Sequence, residues 1–321
     1  MRRASSAATF RTAKMKGKYR GGFATMPQPL DELIGLANEL LQRLDPVLPR
    51  IATPDWSAVR AAVWHLSALG GELRAHAELD PIDLDDLMYI DRQKQRIEAN
   101  TIQFVRGYPA NNVLLWGSRG TGKSSLIHGL LNRYADQGLR LIELDKRALG
   151  SLPRIADLVR NEPYRFILVC DDLSFSADDA SYKELKSVLE GSVFRSSANV
   201  LIYATSNRRH LLPEHMADNL AATHQGGELH ESEAVEEKIS LSDRFGVWLS
   251  FQSFKQDAYL DVVAHWLERI GARHGLQATL TDSARREALQ WALARGARNG
   301  RTAQYFARDW IGRLLTGQAT P

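Results

Sequence analysis

Eight consecutive residues, Gly117-Ser118-Arg119-Gly120-Thr121-Gly122-Lys123-Ser124, constrain this chain more than any other stretch. They follow a short apolar run, Val113–Trp116, and open a segment of helical character from Lys123 to Gln137. Three glycines in so short a span predict a tight turn whose backbone N–H groups converge on one point. The helix N-terminus adds positive potential at the same place. Glycine, four residues, then Gly-Lys-Ser is the Walker A pattern, and its chemistry is a grip on phosphate oxygens. In that reading Lys123 reaches the β and γ phosphates and the Ser124 hydroxyl is a Mg²⁺ ligand, with Ser125 beside it in the cradle. A plain glycine-rich turn is the ordinary alternative, and the strand–loop–helix context speaks against it.

Four further positions belong to the same chemistry by their order along the chain. Phe166–Cys170 reads as an apolar strand that ends in Asp171-Asp172, a Walker B arrangement in which Asp171 holds Mg²⁺ directly or through water. Asp172 stands where a general base would act on water. A glutamate there would reach about 1.5 Å further, one C–C bond, and such a displacement matters to a base. Slow hydrolysis and a base carried closer by the local backbone are both open. Asn207, just past a fourth strand at Val200–Ala204, can hold the attacking water or the γ-phosphate, although an Asn there is ordinarily a turn residue. Arg244 precedes a fifth strand, Val247–Phe251; it can project into a neighbouring subunit's nucleotide or pair with Asp243. Arg301 opens the last helix, Thr302–Leu315, within reach of a γ-phosphate, with Arg298 as its rival.

The rest of the chain organises around these motifs. Apolar residues Leu33, Ala37, Leu40, Leu41 and Leu44 mark one face of a helix that Asp45-Pro46 ends. A second helix is expected from Asp55, with Trp56, Val59, Val63 and Leu66 on one side and Gly70-Gly71 as its stop. Residues 27–83 would thus form a small N-terminal helical unit. From residue 84 short apolar runs alternate with helical segments, which predicts a parallel sheet covered on both faces over 84–255. Leu139–Leu144 is its second strand. Residues 256–321 read as an all-helical bundle: Ala258–Ile270, Ser283–Arg295 and Thr302–Leu315.

Composition removes several function classes. Hydrophobic residues make up 44% of the 321 and charged residues 25%, an ordinary globular balance. No run approaches the roughly 18 apolar residues a membrane span needs. The lone cysteine, Cys170, sits in an apolar run and reads as a small buried hydrophobe, in keeping with a reducing, cytoplasmic setting. The net charge of +3 comes from residues 1–26, which carry seven basic residues and no acidic one. Without them 34 basic residues face 38 acidic ones, a body of −4 that does not favour polyanions. That basic tail reads as a disordered arm, a transit-type presequence, or an upstream extension before Met26. Residues 213–238 are acidic and include His215, His224 and His230, without compact metal-ligand spacing. A partner-contacting or nucleotide-responsive loop is the better reading of them.

With these motifs in this order the chain resembles the AAA+ ATPases. It looks most like an uncharacterised bacterial family of AAA+ proteins known as a domain of unknown function. The resemblance runs through residues 84–312, on Pro109–Gly117 into the loop, Cys170–Phe175, Tyr203–Glu214 and Glu233–Leu241. It implies a sheet of strand order 5-1-4-3-2, helices on both faces, a C-terminal helical lid, and ATP with Mg²⁺ between lid and sheet. Asn207 would then be the sensor 1 residue, Arg244 the arginine finger acting in trans within a homo-oligomer, and Arg301 the sensor 2 residue. Tyr89, Ile90 and Asp91, before a Gln93–Ile97 helix, would flank the adenine.

The function expected is an oligomeric ATPase that remodels a macromolecular client, protein in preference to nucleic acid. A helicase-loader or transposition-helper type is an alternative, supported by Arg208, Arg209 and the tail. A slow ATP-gated switch is another, supported by Asp172. Asp145–Arg154 lacks an unfoldase pore loop, and no Asn-Lys-x-Asp guanine-reading motif is present.

Overall fold

The computed structural model describes residues 34–36, 39, 53–67, 70–76, 81–175, 179–190, 198–208, 211 and 244–318. The basic tail and the acidic stretch 213–238 lie outside the described residues. The chain divides into two compact units, residues 1–50 and 51–321. In the first, residues 34–36 and 39 are helical, in line with the amphipathic pattern there.

The second unit is built on a seven-stranded sheet. Its strands are β1 (Ala61–Ser67), β2 (Gly70–Ala75), β3 (Val113–Gly117), β4 (Leu139–Leu144), β5 (Arg165–Cys170), β6 (Val200–Ser206) and β7 (Val247–Phe251). They lie in the order β2-β1-β4-β5-β6-β3-β7. The five strands expected from sequence keep the 5-1-4-3-2 arrangement as β7-β3-β6-β5-β4, all parallel. The full order differs because a hairpin is added beyond β4, where no strand was expected.

That hairpin corrects the helix expected from Asp55. Residues Ala61–Trp64 pair in parallel with Leu141–Leu144, and β1 returns antiparallel through β2. The spacing of Val59, Val63 and Leu66 suits a helix, but Ala62 and Trp64 share one face of the strand and are buried, while Leu66, on that face beyond the pairing with β4, is 53% exposed. Gly71 is not a helix stop. Its missing Cβ leaves room for the Trp64 ring, whose nearest atom would lie 2.2 Å from such a carbon. The α/β architecture therefore begins before residue 84, and the three C-terminal helices belong to the same compact unit.

Helices cover both faces, as the uninterrupted apolar strands require. Along β5, Ile167 and Val169 join one core with α1 (Asp91–Val105), α2 (Lys123–Tyr134) and the C-terminal helices. Phe166, Leu168 and Cys170 join the other core with α3 (Leu152–Val159) and α4 (Ala180–Glu190). The C-terminal helices are α5 (Gln256–Arg273), α6 (Asp282–Ala294) and α7 (Gly300–Leu315), each matching an expected helical segment. Burial pushes the Cys170 thiol up to about 12, so it stays protonated and apolar.

Two substitutions separate strand from helix at residues 61–75. Gly71→Val should destabilise the protein by about 1–3 kcal/mol through collision with Trp64. Leu66→Ser should change stability by less than about 0.5 kcal/mol, as expected of an exposed strand residue. Urea denaturation of both checks this; a large loss for Leu66→Ser would restore the helical reading.

Candidate functional site

The loop after β3 takes its shape from backbone only glycine adopts readily. Gly117, Gly120 and Gly122 have φ of 127°, 74° and 96°, all in the left-handed half of the map. At Gly117 a Cβ would stand 2.0 Å from the Phe251 carbonyl oxygen, so the end of β3 lies flush against β7. The Ser118 N–H donates to that same oxygen at 2.9 Å. The chain then turns into α2, with Gly122 as its N-cap.

Lys123, the first residue of α2, is buried. Its ammonium donates to the Gly117 and Ser118 carbonyls, each at 2.8 Å, and to Asn207 Oδ1 at 3.1 Å. Burial pulls its pKa down; Asp171 and Asp172 oppose that, while Arg301 and Arg119 add to it. Apart from that pKa, Arg119, Lys123 and Arg301 converge on one cavity. An anion with several charges would complete it.

The Walker B carboxylates stand opposite. Asp171 accepts from the Ser124 hydroxyl at 2.7 Å and from the Thr205 hydroxyl. Asp172 sits at φ 51°, left-handed backbone that non-glycine residues seldom occupy. Its N–H donates to Thr205 Oγ1 at 2.9 Å, and the following Leu173 N–H donates to the Thr205 carbonyl at 2.7 Å. Asp172 Oδ1 accepts from the Asn207 amide, and its Oδ2 lies 3.8 Å from the Arg119 guanidinium. Asn207 is therefore bonded to both Lys123 and Asp172.

These groups line a cavity of about 560 Å³ between the sheet and the C-terminal helices. Arg119, Lys123, Arg301 and Arg308 supply positive charge, and Ile82, Leu87, Ile90, Val262 and Trp266 supply apolar wall. Asp86 also lines it, held by His265 Nε2 at 3.0 Å and by Arg269, both from α5. The oxygen pair Ser124–Asp171 is a hard donor set of the kind Mg²⁺ accepts, with phosphate and water left to supply the remaining ligands. Among the described residues no group of three or more His, Cys, Asp or Glu could hold a metal by itself.

The sequence-expected residues are thus largely brought together, with some exceptions. Gly120 through Ser125, Arg119, Asp171, Asp172, Asn207, Arg301 and Ile90 line the cavity; Gly117 and Ser118 meet it through Lys123. Tyr89 and Asp91 do not line it. Tyr89, at φ 63°, turns to hydrogen-bond Asp261, and Asp91 pairs with Lys94 at 3.1 Å on the exposed start of α1. Arg244 is exposed in the turn before β7 and does not line its own chain's cavity.

Two residues escaped sequence reading. Thr205 was hidden because only the β5–β6 register, Cys170 opposite Ala204, sets it beside Asp171. Asn299 caps α7 and also bonds the Arg119 carbonyl at 2.9 Å; an Asn directly before Gly-Arg-Thr at a helix start was the available signal.

A parallel sheet with this order, a phosphate-type loop after its central strand and a helical bundle against the cavity define a P-loop α/β protein of the AAA+ class. The chain belongs to the family described as "Protein of unknown function (DUF815)", whose model matches residues 57–314. No curated protein matches it. Among solved structures it is similar to the Thermotoga maritima RuvB Holliday junction branch migration motor, with 17% identity and a TM-score of 0.45. That match covers 74% of this chain and 67% of the other. It is also similar to the Aeropyrum pernix Orc1 protein in complex with DNA, with 15% identity, a TM-score of 0.49, and 72% and 61% of the two chains covered. No described helix is long and apolar enough to cross a membrane.

Thr205→Val should expose how much the site depends on one hydroxyl. It removes a donor to Asp171 and leaves the Asp172 N–H without its acceptor, at a cost of about 1–3 kcal/mol. Chemical denaturation would show it; an unchanged midpoint would mean that water replaces the hydroxyl.

Proposed function

We propose that this protein binds ATP with Mg²⁺ in the cavity between the sheet and the C-terminal helices and hydrolyses it. The observation that carries this reading is the bonded chain Lys123–Asn207–Asp172, with Ser124–Asp171 beside it, at the mouth of the glycine loop. Loop amides and Lys123 would grip the β and γ phosphates, and Arg301 would meet the γ-phosphate from α7. Ser124 and Asp171 would hold Mg²⁺, which supplies charge neutralisation along the phosphates. Asn207 would place a water in line with the γ-phosphorus, and Asp172 would accept its proton as the new P–O bond forms and the β–γ bridge breaks. The left-handed backbone at Asp172 supports the idea that a short carboxylate can still approach the water.

The exposed Arg244, off its own cavity, suits a role in the neighbouring subunit's site and therefore a homo-oligomer. The output would be remodelling of a macromolecular client, protein in preference to nucleic acid given the acidic body. The residues after β4 do not support threading through a pore: Lys146–Ser151 forms a 3₁₀ turn with Ala148 and Leu149 buried. The C-terminal helices would act as the lid. A reducing cytoplasm suits the single inert thiol.

Three variants test this. Lys123→Ala should abolish Mg·ATP binding in calorimetry. Asp172→Asn should keep binding but lower turnover by about 10²–10⁴-fold. Arg244→Ala should bind ATP and not turn it over, and mixing it with Lys123→Ala subunits should restore part of the activity. Full turnover by a demonstrably monomeric protein would remove the oligomer, and no Mg·ATP affinity in the intact chain would remove the whole reading.

A further inference from the structure

The phosphate loop is bonded to the start of α7 through one buried side chain. Asn299 is 7% exposed and uses both ends of its amide. Its Oδ1 accepts from the Thr302 N–H at 2.8 Å, which is ordinary helix N-capping. Its Nδ2 donates to the Arg119 carbonyl at 2.9 Å, inside the phosphate loop. Two residues further along α7, the Arg301 N–H donates to the carbonyl of the next loop residue, Gly120, at 3.1 Å. Gly120 admits this approach because it has no side chain: a Cβ there would lie 2.8 Å from the Asn299 amide atoms.

A cap requires only an acceptor, which Ser, Thr or Asp also provides. The second bond requires a donor on the same short side chain. Ser and Thr carry donor and acceptor on a single oxygen and ionised Asp cannot donate, so among the common caps only Asn offers them on two separate atoms, as used here. Capping alone therefore does not account for Asn at this position.

We propose that Asn299 is a positioning residue that couples α7 to the phosphate loop, so that nucleotide entering the loop is transmitted to the helix carrying Arg301, Gln304 and Arg308. The inference rests on the nucleotide reading of the cavity and adds its regulation. Loop residues 119 and 120 are pinned by Asn299 and the Arg301 N–H. Any reshaping of the loop around phosphate then drags the first turn of α7, and displacement of α7 by a partner distorts the loop in return. The outer face of the bundle thereby reads the state of the site.

The test compares full-length wild type, Asn299→Asp and Asn299→Ser by amide hydrogen exchange and Mg·ADP titration, with Lys123→Ala as the non-binding control. Both substitutions keep a good cap, so melting temperatures should stay within about 3 °C of wild type. Without nucleotide, exchange in residues 117–124 should accelerate about three- to tenfold in both variants, the worth of one neutral hydrogen bond. Mg·ADP should protect the loop and the first turn of α7 together in wild type. In the variants its Kd should rise by a similar factor, and protection of the first turn of α7 should weaken relative to that of the loop, since only the Arg301 N–H bond to Gly120 remains. Unchanged loop exchange with unchanged spread of protection would reduce Asn299 to a cap and overturn the proposal. If a variant melts, wild type alone decides: protection confined to the loop overturns the coupling, and joint protection supports it. Failure of wild type to bind Mg·ADP would sink the nucleotide reading instead, while ligand-free exchange still judges the Asn299 tether.

Discussion

The register of the central parallel strands is the constraint on which the site depends. With Cys170 opposite Ala204 and Trp116 opposite Ser206, the residues leaving β3, β5 and β6 emerge side by side. Parallel strands all discharge their C-terminal ends at one edge, so a loop, two carboxylates and an amide distant in sequence become neighbours. A slip of one residue would turn every side chain of a strand to the opposite face. Burial on both faces forbids that slip: Leu114, Leu115, Phe166, Leu168, Ile202 and Ala204 are all fully enclosed.

The polar groups of the site are bonded to one another. Lys123 spends its three donors on two carbonyls and Asn207. Asp171 takes two hydroxyl donors, and Asp172 takes Asn207 with Arg119 close by. Each of these bonds is one that phosphate, metal or water could replace without leaving a buried charge bare. These mutual bonds fix the orientation of the charged groups that face the cavity.

The helical bundle is joined to the site at two separate points. At the apolar end Asp86, buried in the 3₁₀ turn Leu84–Asp86, is shared by His265 and Arg269 of α5. At the phosphate end Asn299 and Arg301 of α7 hold the loop backbone. Asp86 is itself buried, so removing it would take a shared partner from His265 and Arg269, and removing Asn299 would take one hydrogen bond from the Arg119 carbonyl. The bundle thus contacts the cavity wall at both ends.

Local chemistry determined what the sequence made legible. Glycine spacing, an apolar run ending in two aspartates, and helix periodicity near the C-terminus are short-range signals, and they located the loop, Asp171, Asp172 and three helices. They failed where meaning is non-local. Trp56, Val59, Val63 and Leu66 fit a helical period equally well, and only the open edge of β4 drew Ala61–Ser67 into the sheet as β1. Tyr89, Ile90 and Asp91 are adjacent in sequence, yet a left-handed turn at Tyr89 sends just Ile90 to the cavity. Thr205 and Asn299 gained their partners from strand register and helix docking, contacts that span tens to hundreds of residues. The sequence by itself determined the loop and carboxylates proposed to hold phosphate and metal; the tertiary structure decided which backbone and which helix those groups are tied to, because such ties exist only once distant segments share one core.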